Sequence, residues 1–508
     1  MNTTTIDRDL DQTTPLYANP REQLLPNASP ALRNAALLLV HVWGCTLMLS
    51  APLISVAAAG TALYLGYQAL GPLDGFLALV LAVISVVSAR LSARLFTLRP
   101  APPAGVQVDP QQAPELMGML ARRSKHFKVK PPAQVLLTTE TELLVVATPV
   151  KAFPVCHQYH LCVGAPLLFF LDREQFGLAL AAAVAASARR QSQLTGWLDQ
   201  ACDDWPQIIE ALEQTEEVLA RLLVGPLQHV NRTAARLGST LNTDWRREQA
   251  HWLLDHSDEQ KTSNYLASQI VASTFLDRQY WPMILKTAER CPTPVVKAFS
   301  HLPLLLDRTL TDELAARWLL QARSATDRYF ADTRDLLAEL QLDELPWSGL
   351  PGPGAFKLMF GYGAVLKRLD SLWQQEVEPE WRRCHSDFQR DRLRFEQLQK
   401  RAAGTGLRDE SALRYIDLAP RFLDQTDTLA AYRKVYATNR DDARVCFAAG
   451  TAMLDVGDNR QGYKALQRAA DIDPSLAERA RALIEEHSSA WVHQHAGSDP
   501  GATRQAFA

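Results

Sequence analysis

No C-x-x-C pair occurs in this chain, and its seven cysteines, at 45, 156, 162, 202, 291, 384 and 446, are an odd number. That argues against a disulfide framework and suits a reducing compartment. Basic excess is missing too: 53 Lys and Arg stand against 56 Asp and Glu, a formal net charge of −3. A nucleic-acid partner is therefore not expected, because the electrostatic footprint for one is lacking. The third scarcity is local. From Asn34 to Leu73 there is no Asp, Glu, Lys or Arg, and a second such run goes from Gly75 to Ala89.

A membrane-spanning helix needs about 20 apolar residues, so the two runs predict a transmembrane hairpin over residues 34–98. The first run is longer than one span requires and contains Pro52, which predicts a kinked or tilted helix with an interfacial first turn. Arg21 and Arg33 precede the hairpin and Arg90, Arg94 and Arg99 follow it, whereas the turn at Gly71-Pro-Leu-Asp74 has no basic residue. Positive residues stay on the cytoplasmic side. Both termini, and everything after residue 100, are expected in the cytoplasm.

At 508 residues the chain exceeds what one core of about 250–300 residues can organise. Residues 1–33 read as a disordered tail, and 99–345 as a mixed domain opened by the proline-stiffened linker Arg99–Gly105. Within that domain residues 114–127 have helical periodicity, and 133–137, 142–148 and 159–163 read as strands. After 190 the pattern is helical, from about 193 to 237 and from 243 to 289. The break Ser348-Gly-Leu-Pro-Gly-Pro-Gly354 opens a region of linker and charged helices over 346–410. Residues 411–490 follow as paired helices, and 491–508 as a tail. In the paired helices Gly450, Gly462-Tyr463, Ala469 and Pro474 are spaced as in a tetratricopeptide repeat, with about one and a half repeats present.

Residues 172–190, DREQFGLALAAAVAASARR, form the clearest helix. Asp172 and Gln175 have capping-box spacing, the interior is nearly all alanine, and Arg189 and Arg190 suit the C-terminal end of the dipole. With the apolar hairpin, the strand pairs and the segment Leu161–Leu168 before it, this stretch resembles the membrane zinc endopeptidases of the HtpX and prenyl-protease type. The resemblance covers residues 90 to about 290 and implies an α+β, predominantly helical, zincin-like fold. In that family the corresponding helix carries H-E-x-x-H, whose i and i+4 histidines reach one zinc ion while the glutamate acts as general base. Here those positions are Ala182, Ala183 and Ala186. The family's third ligand and its supporting aspartate fall on Gln260 and Asn264. An alanine has no lone pair for a metal and no group that takes a proton, so neither zinc nor another cofactor is expected.

Other ligand-bearing patterns have plainer explanations. Cys156-His-Gln-Tyr-His-Leu-Cys162 is dense in donors, but strand alternation sends His157 and His160 to opposite faces. His251 and His256 lie on a helix and read as solvated or capping residues. Cys384 and His385 are adjacent on a helix and diverge too far to form a dyad. The sequence thus predicts a membrane-anchored, non-catalytic binding, scaffold or regulatory protein of the bacterial inner membrane, with the lipid bilayer and an unidentified protein as partners. The alternative is an active membrane zinc metalloendopeptidase with unconventional ligands. The resemblance further implies a peptide-holding strand edge at His160–Val163, and the repeat-like helices a binding face including Tyr432, Tyr436, Phe447 and Tyr463.

Overall fold

The computed structural model describes residues 29–68, 71–151, 156–192, 194–215, 221–324, 328–342, 344–352, 354–404 and 406–495. The expected disordered tail lies outside these residues up to residue 28, and the C-terminal tail from 496 onward. The chain is predominantly helical with one small sheet. Its contacts divide it into two compact units, one within 1–284 and 296–376, the other within 285–295 and 377–508. The Gly/Pro-rich stretch is irregular at 348–352, as expected, but the division falls between Glu376 and Val377, inside a helix. Backbone breakers mark a break in regular structure, not a break in packing.

The first unit opens with α1 (Pro30–Gln68) and α2 (Pro72–Thr97), both long and apolar enough to cross a membrane. Pro72 sits in the first turn of α2, where it removes no helical hydrogen bond, and Asp74 and Arg94 lie at the dipole ends that favour them. Ser55 and Ser85 each donate a side-chain hydrogen bond to the other's carbonyl, at 3.0 and 2.9 Å. From Leu53 to Tyr67 on α1 and Leu73 to Val87 on α2 the large apolar side chains are mostly exposed. The first part of α1 differs. Leu37, His41, Met48 and Ala51 are buried, in clusters with Leu198, Trp205, Ile208, Leu227 and Ala234. The excess length of the first apolar run is therefore core.

Next come β1 (Val106–Gln107), α3 (Pro114–Phe127), β2 (Gln134–Thr138), β3 (Leu143–Lys151) and β4 (Cys156–Gly164). Among the described residues they form one sheet in the order β1-β2-β4-β3. β4 pairs parallel with β2 (Leu136 opposite Cys162) and antiparallel with β3 (Val146 opposite His160). The segment His160–Val163 is thus a central strand with both edges paired, and the expectation of a free edge there is corrected. The outer strands are β1 and β3. Sheet order is set by which strands share the core, and alternation within one strand does not contain it.

α4 (Leu167–Phe170) leads into α5 (Arg173–Ser192). The predicted capping box is present: the Gln175 N–H donates to Asp172 Oδ1 at 2.7 Å, and the Asp172 N–H to Gln175 Oε1 at 3.0 Å. α6 (Leu194–Glu213), α7 (Val224–His256) and α8 (Glu259–Phe275) follow. The expected break near 238–242 is absent, since α7 runs through it; the breaks lie after Glu213 and at Ser257. One interior glycine costs about 1 kcal/mol, which a long packed helix offsets. A π-helical turn at Leu276–Tyr280 joins α8 to α9 (Trp281–Lys286), then come α10 (Ala298–Thr309), α11 (Asp312–Arg323) and α12 (Ala331–Glu339).

α13 (Tyr362–Ala403) begins in the first unit, where the buried carboxylate of Asp370 accepts hydrogen bonds from Phe299 N (2.7 Å) and from the Ser300 hydroxyl. It satisfies the open N–H groups at the start of α10. The second unit holds the rest of α13, then α14 (Asp409–Phe422), α15 (Gln425–Thr438), α16 (Ala443–Asp455), α17 (Asn459–Ile472) and α18 (Ala477–His495). Its core includes Phe395, Leu398, Ala412, Tyr415, Tyr432 and Met453. α16 and α17 pack almost backbone to backbone: a Cβ on Gly450 would lie 3.0 Å from Leu466 N, and one on Gly462 would lie 3.0 Å from Gly450 O. Gly457, with φ +93°, makes the turn between them, as glycine alone does without strain.

Candidate functional site

The helix after the sheet is the natural centre, because two groups of candidate residues meet near it. α5 is buried along most of its length: Ala182 is 1 %, Ala183 2 % and Ala186 8 % exposed. Their methyl groups let neighbouring elements approach closely, and Gly177 on the same helix would place a Cβ 3.1 Å from Met119. The start of α5 docks on α8. Gln175 Nε2 donates to Ser268 Oγ at 3.2 Å and to the carbonyl of Asn264 at 3.4 Å, and Lys261 pairs with Glu174 at 2.6 Å. The structure therefore brings the helix of Ala182, Ala183 and Ala186 against the helix of Gln260 and Asn264. Gln260 is exposed and Asn264 half-buried, its carbonyl turned to Gln175.

This residue set does not fit a tetrahedral zinc ion. Three of the five positions carry no donor atom, and the other two are neutral amides, whereas zinc takes thiolate, imidazole or carboxylate. Among the described residues no three of His, Cys, Asp and Glu group so as to hold a metal.

On the other side of β4 lies a polar cluster that the sequence pattern did not disclose. His157 Nε2 is 2.9 and 3.0 Å from the two carboxylate oxygens of Asp204 on α6. Gln200 Nε2 donates to the same carboxylate at 3.2 Å, and Arg190 bridges Asp199 and Asp203 at 3.0 Å each. Asp199, Asp203 and Asp204 repeat at i, i+4, i+5. That helical spacing was the available signal, but nothing in it points to a histidine 47 residues earlier. His160 faces away from this cluster, as alternation predicts. It is 3 % exposed, its Nδ1 has no hydrogen-bond partner among the described residues, and burial lowers its pKa. Burial also raises the Cys162 thiol to about 11.

The remaining candidates are engaged structurally. His251 pairs with Glu339 at 3.2 Å; His256 Nδ1 lies 2.9 Å from the Trp252 carbonyl, its ring stacked on Trp252. His385 Nδ1 lies 2.7 Å from the Ala288 carbonyl, so Cys384 has no imidazole to activate it through that atom. Tyr432 is 3 % exposed, Tyr436 packs on the same core, and Phe447 and Tyr463 pack with Leu454 and Leu466. The expected aromatic binding face is largely interior; in short helices the large rings are the core.

The chain matches no protein-family model, and neither the curated proteins nor the solved structures contain a match.

Proposed function

We propose that the chain is a membrane-anchored pseudopeptidase, a non-catalytic binding or scaffold protein on a fold resembling zinc endopeptidases of the HtpX and prenyl-protease type. The observation that carries the reading is the buried alanine triplet of α5, packed beside α8 at the positions where the resemblance places two ligands and the general base. Without a polarised water and a base, peptide hydrolysis has no nucleophile. The exposed apolar length of α1 and α2, about 25 Å for the 17 residues 52–68, supports a two-pass anchor in a bilayer core of about 30 Å. Arginine asymmetry supports cytoplasmic placement of both units. The repeat-like pairing of α16 and α17 supports a protein-binding role for the C-terminal helices.

The test is the metal content and peptidase activity of purified full-length protein. Expected are less than stoichiometric zinc and no cleavage of casein. A variant restoring the five family residues at 182, 183, 186, 260 and 264 is expected to take up zinc, while one restoring only the two histidines is not. One tightly held zinc per wild-type chain, lost with activity on chelation, overturns the reading. A periplasmic reporter fused after Arg99 is expected to be silent.

A further inference from the structure

Seven arginines of the second unit are held in ion pairs. Along α13, Arg382 bonds Glu378, Arg383 bonds Glu380, Arg390 bonds Asp387 and Arg392 bonds Glu396; beyond it Arg421 bonds Asp391, Arg433 bonds Asp458 and Arg468 bonds Asp441. Of those that are not, three share one groove. Arg394, Arg401 and Arg414 are exposed, have no ion-pair partner among the described residues, and line one groove of about 250 Å³ with Gln397, Leu398, Ser411 and Glu410. One acid against three guanidinium groups leaves the groove cationic in a chain whose net charge is negative.

The groove has a fixed frame. Phe395 on α13 stacks on Tyr415 of α14, with centroids 5.3 Å apart and planes 1° from parallel. Leu398 and Ala412 are buried in the same core. These contacts bring the helix segments that carry Arg394 and Arg414 together. The entry to α14 is also constrained: Gly406 has φ +81° and Asp409 φ +47°, a conformation a non-glycine residue rarely adopts. Arg401 suits the last turn of α13, where a cation is favoured, and Arg414 lies four residues after Glu410 on α14.

We infer that this groove between α13 and α14 binds an acidic peptide segment of a partner protein. Spacing selects the ligand class. Arg394 and Arg401 are seven residues, about 10 Å, apart along the helix axis, wider than a single phosphate or carboxylate. An extended chain rises about 3.3 Å per residue, so carboxylates three residues apart lie about 10 Å apart along it and match the rim. Each guanidinium presents a planar fork that fits a carboxylate, and Leu398 with the arginine methylenes gives an apolar floor for the side chains between. The inference concerns the second unit and does not depend on the pseudopeptidase reading of the first.

The test is fluorescence anisotropy of a fluorescein-labelled hexaglutamate peptide on full-length protein in detergent micelles, with hexaglutamine as reference. Saturable binding of hexaglutamate alone is expected, weakening with salt. The double variant R394E/R414E is expected to weaken it about tenfold or more, in line with two exposed charge pairs lost. R394K/R414K, which keeps the charge and loses the forks, is expected to lie between. The control R444E/R460E makes the same change in net charge at exposed sites away from the groove, and is expected to leave binding unchanged. Three results overturn the proposal: no preference over hexaglutamine, an equal loss in the control, or displacement by inorganic phosphate as efficient as by unlabelled hexaglutamate at equal ionic strength. All four substitutions are at exposed positions, and an unchanged melting temperature confirms that the variants fold.

Discussion

Trp205 Nε1 donates a hydrogen bond to His41 Nδ1 across 2.8 Å, joining α6 to the first apolar helix within the buried cluster of Met48, Ile208 and Leu227. The two ring planes lie 11° from parallel, with centroids 6.3 Å apart, as an in-plane N–H···N bond requires. The first half of α1 is thereby a member of the first unit's helical layer.

His41→Leu is expected to destabilise the protein by about 1–3 kcal/mol, since it leaves a buried indole N–H without an acceptor. Trp205→Phe keeps a ring but leaves the buried His41 Nδ1 without its donor, so beyond lost packing it is expected to cost a comparable amount, about 1–3 kcal/mol. Chemical unfolding of both single variants and the double variant in micelles checks this. A coupling energy near zero contradicts the bond.

Gly462→Ala is expected to cost about 1–3 kcal/mol through overpacking against Leu454 and the Gly450 carbonyl, even though alanine gains up to about 1 kcal/mol of helix propensity. Gly225→Ala, where a Cβ meets nothing within 4 Å, is the matched control and is expected to be neutral or stabilising. Thermal melts of the two variants separate contact from propensity.

His160 gives a pH dependence of definite sign. Burial holds its pKa below the ordinary value of 6.5, so the unfolded chain takes up a proton first as the pH falls. Its contribution to stability is complete above pH 6.5 and is lost below it, toward the lowered folded value. His160→Leu is expected to flatten the melting temperature between pH 7 and 5.5 relative to wild type. An identical slope in the two proteins contradicts the assignment.

Cys156 and Cys162 mark the two ends of the accessible range on one strand. Cys156 is exposed, Cys162 is buried and its thiol pushed up to about 11. Alkylation at pH 8 is expected to modify Cys156 and to spare Cys162 and the buried Cys446 until the protein is unfolded, read by mass spectrometry of the peptides. Six residues of strand hold the two cysteines of β4 about 20 Å apart, far beyond disulfide reach.

What the sequence disclosed was local. The Asp172–Gln175 capping box, the alanine helix after it and the opposite facing of His157 and His160 each depend on residues within one turn or one strand, and each is present. What it withheld was nonlocal. The insertion of β4 between β2 and β3, the pairing of His157 with Asp204, and the burial of Leu37 and His41 under α6 and α7 are choices among partners distant in the chain. Tyr432 shows the same limit from another side: an aromatic at helical spacing does not reveal whether its face is core or surface.

The reciprocal bonds of Ser55 and Ser85 have a consequence for how this hairpin tolerates change. Around them α1 and α2 present leucine, valine, isoleucine and alanine, which exchange for one another at little cost on an apolar surface. The two serines are different. Each hydroxyl donates to the other helix's backbone carbonyl, an acceptor that any side chain leaves in place. Losing one serine therefore removes one interhelical hydrogen bond and leaves the other intact, so the two positions, thirty residues apart, are expected to change one at a time, each at the cost of a single bond.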